Sequence, residues 1–176
     1  AGGIAIFRGM PDTPGRVTII CEPHAFFVGA NEQDQMGRAI APLGKIDDDD
    51  CDELAFGTDL DDLNEQTNQG SVRVVFGWGP KCNSPYPRIV PLVPNAAASR
   101  AGWSLDGGED LDGDDVPDLL VGAPDYREGG LRLGAAFVIS GAYIGTRAIK
   151  LRPLRDVLLR SGCRERQDIC ETCNSV

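Results

Sequence analysis

Residues 109–124 read EDLDGDDVPDLLVGAP, and in this segment an acidic loop leads directly into a short apolar run and a Gly-Ala-Pro turn. Asp110, Asp112 and Asp114 alternate along the loop, and Asp118 follows four positions later. Hard cations such as Ca2+ prefer this density of carboxylate and carbonyl oxygen in one tight loop. We therefore interpret the stretch as a calcium loop that opens a β-strand.

A nine-residue frame that starts at Asp110 defines the predicted ligands of this loop. Side-chain oxygens fall at positions 1, 3, 5 and 9, and the Val116 carbonyl is available at position 7. The loop is not an EF-hand, because that motif needs a bidentate Glu where this frame has Val121 and a helix where this sequence is strand-like. Four carboxylates within one turn repel one another unless a cation lies among them. The predicted metal ligands are Asp110, Asp112, Asp114, Val116 and Asp118.

A second acidic loop, LGKIDDDDCDEL at 43–54, departs from this frame because Lys45 occupies position 1. A lysine cannot ligate calcium, and two interpretations follow. Either the remaining oxygens bind calcium with help from Asp48 or Asp50, or the Lys45 ammonium lies near the metal position as a built-in cation. We favour binding, with Asp47, Asp49, the Cys51 carbonyl and Glu53 as predicted ligands.

An internal repeat organises the chain, because several segments recur about 65 residues apart. The matched pairs are Met36-Gly37 with Ala101-Gly102, ELAFG (53–57) with DLLVG (118–122), and GSVRVVFG (70–77) with GAAFVISG (134–141). Residues 2–9, GGIAIFRG, repeat the last of these elements once more. The chain therefore opens partway through a repeat.

A further short element follows each of these segments, at 16–20, 88–93 and 147–152. Short β-branched runs bounded by Gly or Pro are typical of strands, and the body shows no sustained helical period. Pro91 predicts that its run is an edge strand, the fourth and outermost of a small sheet. The segment around 21–27 is interpreted as an insertion, and its Phe26 and Phe27 are predicted to pack in a core or interface.

Composition narrows the class of function. The formal net charge is −10, although residues 142–176 carry seven basic against four acidic side chains. An acidic body favours cations over a nucleic-acid backbone as partners. Six cysteines indicate an oxidising, extracellular compartment, with their pairing open and a zinc site in the tail as a minor alternative. The only histidine, His24, has no nucleophile motif around it, so we expect no catalysis.

These motifs resemble the FG-GAP repeat of integrin α-subunit β-propellers and related extracellular proteins, over roughly residues 1–152. The resemblance is carried by AGWSL (101–105), DLDGDDVPD (110–118), GAP (122–124) and GAAFVISG (134–141). It implies four-stranded antiparallel blades, each with calcium bound between its first and second strands. The first repeat departs from the pattern where Met36 replaces Phe and where GTD at 57–59 replaces Gly-Ala-Pro.

The expected fold is all-β, with about two and a half propeller-like blades, an incomplete ring and a short cysteine-rich C-terminal tail. The predicted parts are a half-blade with insertion (1–35), a first blade (36–93), a second blade (94–152) and a basic tail (153–176). Propellers close with about 4–8 blades, so something must complete this one. We predict an extracellular, calcium-stabilised structural or adhesive module without membrane insertion, self-associating head to tail into a ring or filament. The alternative is a protein- or glycan-binding fragment of a larger integrin-like propeller.

Overall fold

The computed structural model describes residues 1–7, 23–62, 67–94 and 97–146. These residues form several antiparallel sheets and one short helix, which confirms the predicted all-β, propeller-like class. In chain order the elements are β1 Gly3–Ile6, β2 Ala25–Val28, β3 Ile40–Gly44, β4 Glu53–Thr58, β5 Ser71–Phe76, β6 Arg88–Leu92, β7 Ser104–Glu109, β8 Asp118–Ala123, β9 Arg127–Glu128, β10 Leu131–Arg132, β11 Ala135–Ile139 and α1 Gly141–Thr146.

The first blade is a four-stranded antiparallel sheet in the order β3-β4-β5-β6. Its strands are neighbours in both sequence and space, as expected when each strand connects to the next through a turn. Strand β6 lies at the edge, where Pro91 pairs with Arg73 across the sheet. The prediction that Pro91 marks an outermost strand is confirmed. Proline has no backbone N–H to donate to a ladder, so it is found on edge strands rather than central ones.

The second blade contributes three described strands in the order β7-β8-β11. A small hairpin of β9 and β10 projects between β8 and β11, and helix α1 follows β11. Neither the hairpin nor the helix is predicted by the repeat pattern. Within the described residues, no helix is long and apolar enough to cross a membrane. The predicted fourth strand at 147–152 and the tail at 153–176 lie outside the described residues.

The N-terminal half-blade is a two-stranded antiparallel sheet of β1 and β2, with Gly3 opposite Val28 and Ile6 opposite Ala25. The predicted strand at 16–20 lies outside the described residues. The observed partner of β1 instead falls largely within the segment interpreted as an insertion, so residues 25–27 belong to a strand that was not predicted. The run Ala25–Val28 is apolar on both faces. Its sequence therefore lacks the alternation of apolar and polar residues that indicates a strand.

Two parallel β-bridges join neighbouring blades in the same way, one between the half-blade and the first blade and one between the first and second blades. Gly2 pairs with Met36, and Gly70 pairs with Ala101. These four residues occupy equivalent positions in the sequence repeat. The repeat read from the sequence is therefore also a structural repeat.

The first blade is covered on both faces. On one face, Ala55, Val72 and Val74 belong to a core shared with Leu119, Val121, Phe137 and Ile139 of the second blade. On the other face, Phe56 and Val75 pack with Ile4, Met36 and Phe27 of the N-terminal segment. Because side chains alternate along a strand, one sheet supplies both cores.

The two phenylalanines of β2 have different environments. The Phe27 ring centroid lies 5.9 Å from that of Phe56, as predicted for core packing. Phe26 points to the opposite face, where it is 62% exposed beside Val28, which is 55% exposed. The outer face of the half-blade is therefore apolar and without a neighbouring sheet among the described residues.

Candidate metal centres

The acidic loop between β7 and β8 brings three carboxylates together. Asp110, Asp112 and Asp118 offer oxygens that all lie within 4.8 Å of one another. Asp118 is the first residue of β8 and is buried, whereas the other two side chains are exposed. Hard carboxylate oxygens at this spacing are a donor set that suits Ca2+ better than softer metals.

Asp118 also fixes the backbone around the group. One carboxylate oxygen accepts a hydrogen bond from the Leu111 N–H at 2.8 Å, and the other accepts from the Gly141 N–H at 3.0 Å. Leu111 lies in the acidic loop and Gly141 begins α1, directly after the last strand. Asp118 therefore connects two turns at the same end of the blade.

The loop shifts the pKa values of Asp110 and Asp112 in opposite directions. Backbone N–H groups of Gly113 and Asp115 donate to Asp110 at 2.7 and 2.9 Å and hold its pKa below the ordinary value. Desolvation, followed by the nearby charges of Asp118 and Asp114, raises the pKa of Asp112. A cation bound among these groups would relieve the repulsion, so the residues present fit a calcium ion.

Two predicted ligands of this loop are not part of the carboxylate group. Asp114 Oδ1 accepts a hydrogen bond from the Val116 N–H at 2.9 Å, which closes a local turn. Asp114 is absent from the set of three whose oxygens converge. The roles of Asp114 and of the Val116 carbonyl in metal binding stay predictions.

The loop between β3 and β4 forms a second group, in which oxygens of Asp47, Asp49 and Glu53 lie within 4.8 Å of one another. Glu53 is only 2% exposed and accepts hydrogen bonds from Ile46 N–H at 2.9 Å and Gly77 N–H at 3.3 Å. These donors are the repeat equivalents of Leu111 and Gly141. The buried carboxylate that connects two turns is thus present in both blades.

Opposing effects act on the three carboxylates of the first loop. Desolvation raises the pKa of Glu53 and, despite a backbone hydrogen bond, that of Asp47. Desolvation acts the same way on Asp49, but hydrogen bonds from the Asn83 and Cys51 N–H groups outweigh it and lower the pKa. Asp49 is consequently the best stabilised anion of this group.

Lys45 lies beside Asp50, with 3.3 Å between its Nζ and Asp50 Oδ1, on an exposed surface. Asp50 does not belong to the carboxylate group, so this ion pair gives no support to Asp50 as an assisting ligand. In addition to the hydrogen bonds named above, the Lys45 charge lowers the pKa of Asp49, and the role of Lys45 as a built-in cation stays a prediction. A second cation beside the group was missed by the sequence reasoning. Arg88 Nη2 lies 3.8 Å from Asp47 Oδ2, and its guanidinium stacks over Phe76.

A disulfide joins Cys51, within the first acidic loop, to Cys82 in the turn between β5 and β6. The sequence left the pairing of all six cysteines open. The other four cysteines lie outside the described residues, and they include the candidate zinc ligands of the tail: Cys21, Cys163, Cys170 and Cys173. The predicted Cys51 carbonyl ligand stays a prediction.

An arginine–tryptophan cluster at the other end of the first blade was also missed. The guanidinium carbons of Arg38 and Arg100 lie 3.4 and 4.0 Å from the Trp103 ring centroid. Asp59, which follows β4, pairs with Arg100 at 2.6 Å and with Arg38 at 3.8 Å. The cluster joins the turns before β3 and β7, and its only sequence signal is the charge at Asp59, where the second repeat has Pro124.

Comparison with known proteins adds an independent result. Residues 101–139 match the FG-GAP repeat family. Over 103 residues, 57% of this chain, the sequence is 31% identical to integrin alpha-5 of Xenopus laevis, and the match spans 10% of that protein. Integrin alpha-IIb of Mus musculus and of Homo sapiens are each 33% identical over 101 residues, 9% of their length. Residues 101–139 therefore match an FG-GAP repeat, and 57% of the chain is similar to integrin α-subunits, of whose length the match spans about a tenth.

Proposed function

We propose that this chain supplies calcium-stabilised blades to an extracellular, non-catalytic propeller used in adhesion or ligand recognition. The observation that carries the proposal is the presence of a three-carboxylate group at the same place in two successive blades. Each group includes a buried carboxylate that also ties two turns together. Bound calcium would neutralise the loop and strengthen that end of the blade.

The open faces support assembly with further blades. In the first blade, Ala55, Val72 and Val74 are buried against the second blade. The repeat equivalents in the second blade are Leu120, Ala136 and Val138, which are only half-buried. We infer that a further blade of the same type covers this face, as the second blade covers the first.

The similarity to integrin α-subunits favours blades of a larger propeller over a free-standing module. Head-to-tail self-association is the second candidate, and the exposed Phe26 and Val28 on the half-blade favour it. Sizing of the purified chain by mass photometry separates the two. A ring or filament supports self-association, whereas a monomer that binds an added blade-containing partner supports the larger propeller.

Calcium titration tests the proposed function directly. The full chain, stripped with chelator, is titrated calorimetrically with CaCl2, and we expect two sites per chain. Asp112→Asn and Asp47→Asn each remove one site, because each takes a charge from one carboxylate group. At calcium about 100-fold above the dissociation constant, each site adds about 2.7 kcal/mol to the free energy of unfolding.

Asp115→Asn is the matched control. It removes a charge from the second loop at a residue outside the converging group. This variant should keep both sites. Absence of calcium binding in the unmodified chain, or equal loss of affinity in the control, would contradict the proposal.

A further inference from the structure

Asp49 of the first acidic loop is held from two sides. Its Oδ1 accepts a hydrogen bond from the Cys51 N–H at 2.7 Å, and its Oδ2 accepts one from the Asn83 N–H, also at 2.7 Å. Cys51 is one half of the disulfide, and Asn83 directly follows its other half, Cys82. The disulfide therefore joins the two backbone segments that orient this carboxylate.

The equivalent residue of the second loop, Asp114, is placed differently. It accepts a hydrogen bond from Val116, which is the repeat equivalent of Cys51, but the part of the chain that the structure describes supplies no donor equivalent to Asn83. Asp114 stays outside the converging group, which is completed by Asp110 at position 1. In the first loop, position 1 is Lys45, and Asp49 at position 5 completes the group.

The turn after β5 approaches the first loop closely, as the start of α1 approaches the second loop at Pro117. A Cβ placed on Gly77 would lie 2.4 Å from the Cys51 Cβ, so only glycine allows the contact. In the second blade the corresponding segment is helix α1. Cys51 corresponds to Val116 there, so that loop has no cysteine through which an equivalent crosslink could form.

We propose that the Cys51–Cys82 disulfide positions Asp49 as a calcium ligand of the first loop, in place of the position-1 carboxylate that Lys45 does not provide. This inference rests on the proposed calcium function. It makes calcium affinity of the first loop dependent on the disulfide and leaves the second loop independent of it. Asn83 contributes through its backbone N–H, whatever its side chain.

The test measures calcium binding to each loop separately, in a variant whose other loop no longer binds calcium. In an Asp112→Asn background, calorimetric titration with CaCl2 reports the first loop, and in an Asp47→Asn background it reports the second. Cys51→Ser/Cys82→Ser is then added to each. Loss of a residue that orients a metal ligand typically weakens affinity by about 10- to 100-fold, and we expect a loss of that size in the first loop alone.

A double-mutant cycle tests whether Asp49 and the disulfide act through the same interaction. Asp49→Ala should weaken the first loop in the disulfide-containing protein and have little further effect once both cysteines are serines, because the two changes remove one interaction. An unchanged second-loop affinity shows that the serine variant remains folded. Thermal unfolding in chelator provides a second readout that does not depend on bound metal.

The outcomes distinguish this inference from the proposed function. Absence of binding in both backgrounds overturns the proposed function and the inference with it. Binding at the second loop, together with a first loop that binds equally well with and without the disulfide, overturns the inference alone. Additive effects of Asp49→Ala and the serine pair also overturn it.

Discussion

Asp118 and Glu53 each combine two roles in one side chain. Each offers an oxygen to a carboxylate group, and each accepts two backbone hydrogen bonds that hold neighbouring turns together. Position 9 of the loop is therefore structural even before a metal binds. The spacing of acidic residues predicted a metal ligand at this position but did not indicate its backbone partners.

Replacement of Asp118 by Ala should destabilise the metal-free protein. The Gly141 N–H would lose its acceptor at a buried site, and the Leu111 N–H would lose its acceptor at a partly buried one. A lost buried hydrogen bond costs about 1–3 kcal/mol, so we expect a loss of about 2–4 kcal/mol in urea unfolding measured with chelator. The exposed Asp52→Ala is the control and should change stability by less than about 0.5 kcal/mol. Equal stability of the two variants would show that the Asp118 hydrogen bonds contribute nothing.

Among the elements of the first blade, the recurring segments predicted β4, β5 and β6, whereas β3 was expected only from the resemblance to four-stranded blades. The sequence also predicted the edge position of β6 from Pro91 alone. The pattern could not predict β2, because Ala25–Val28 has no counterpart of matching sequence in the other blades. Nor could it predict the disulfide, since six cysteines allow many pairings and only the fold brings Cys51 to Cys82.

The junction between blades depends on a close contact of two glycines. A Cβ on Gly57 would lie 2.0 Å from the Gly102 carbonyl oxygen, which is part of the backbone and cannot rotate away. Gly102 itself has a φ of +85°, a conformation that other residues rarely adopt. Blade-to-blade spacing therefore requires glycine at both positions.

Gly57→Ala should destabilise the protein by about 1–3 kcal/mol, the usual cost of overpacking a tight contact. Chemical denaturation monitored by tryptophan fluorescence measures the loss. Gly129→Ala is a suitable comparison, because Gly129 has a positive φ of 58° but no atom near its would-be Cβ. That variant should cost about 1–2 kcal/mol from backbone strain alone. If Gly57→Ala retained wild-type stability, the close approach of the blades would be contradicted.

In the molecule as a whole, the described residues form a stack of a half-blade and two blades. Different interactions stabilise the two ends of the strands. Carboxylate groups lie at the start of β4 and β8, whereas the arginine–tryptophan cluster lies beyond the end of β4. The two apolar cores between successive sheets are those of a propeller. The half-buried face of the second blade supports the proposal that a further blade covers it.

Anomalous diffraction from calcium-grown crystals would locate bound calcium ions directly. Crystals grown with CaCl2 are measured at a wavelength where calcium scatters anomalously. We predict two peaks, one among Asp110, Asp112 and Asp118 and one among Asp47, Asp49 and Glu53, each about 2.3–2.6 Å from carboxylate oxygens. An anomalous map with no peak in either loop would contradict the account.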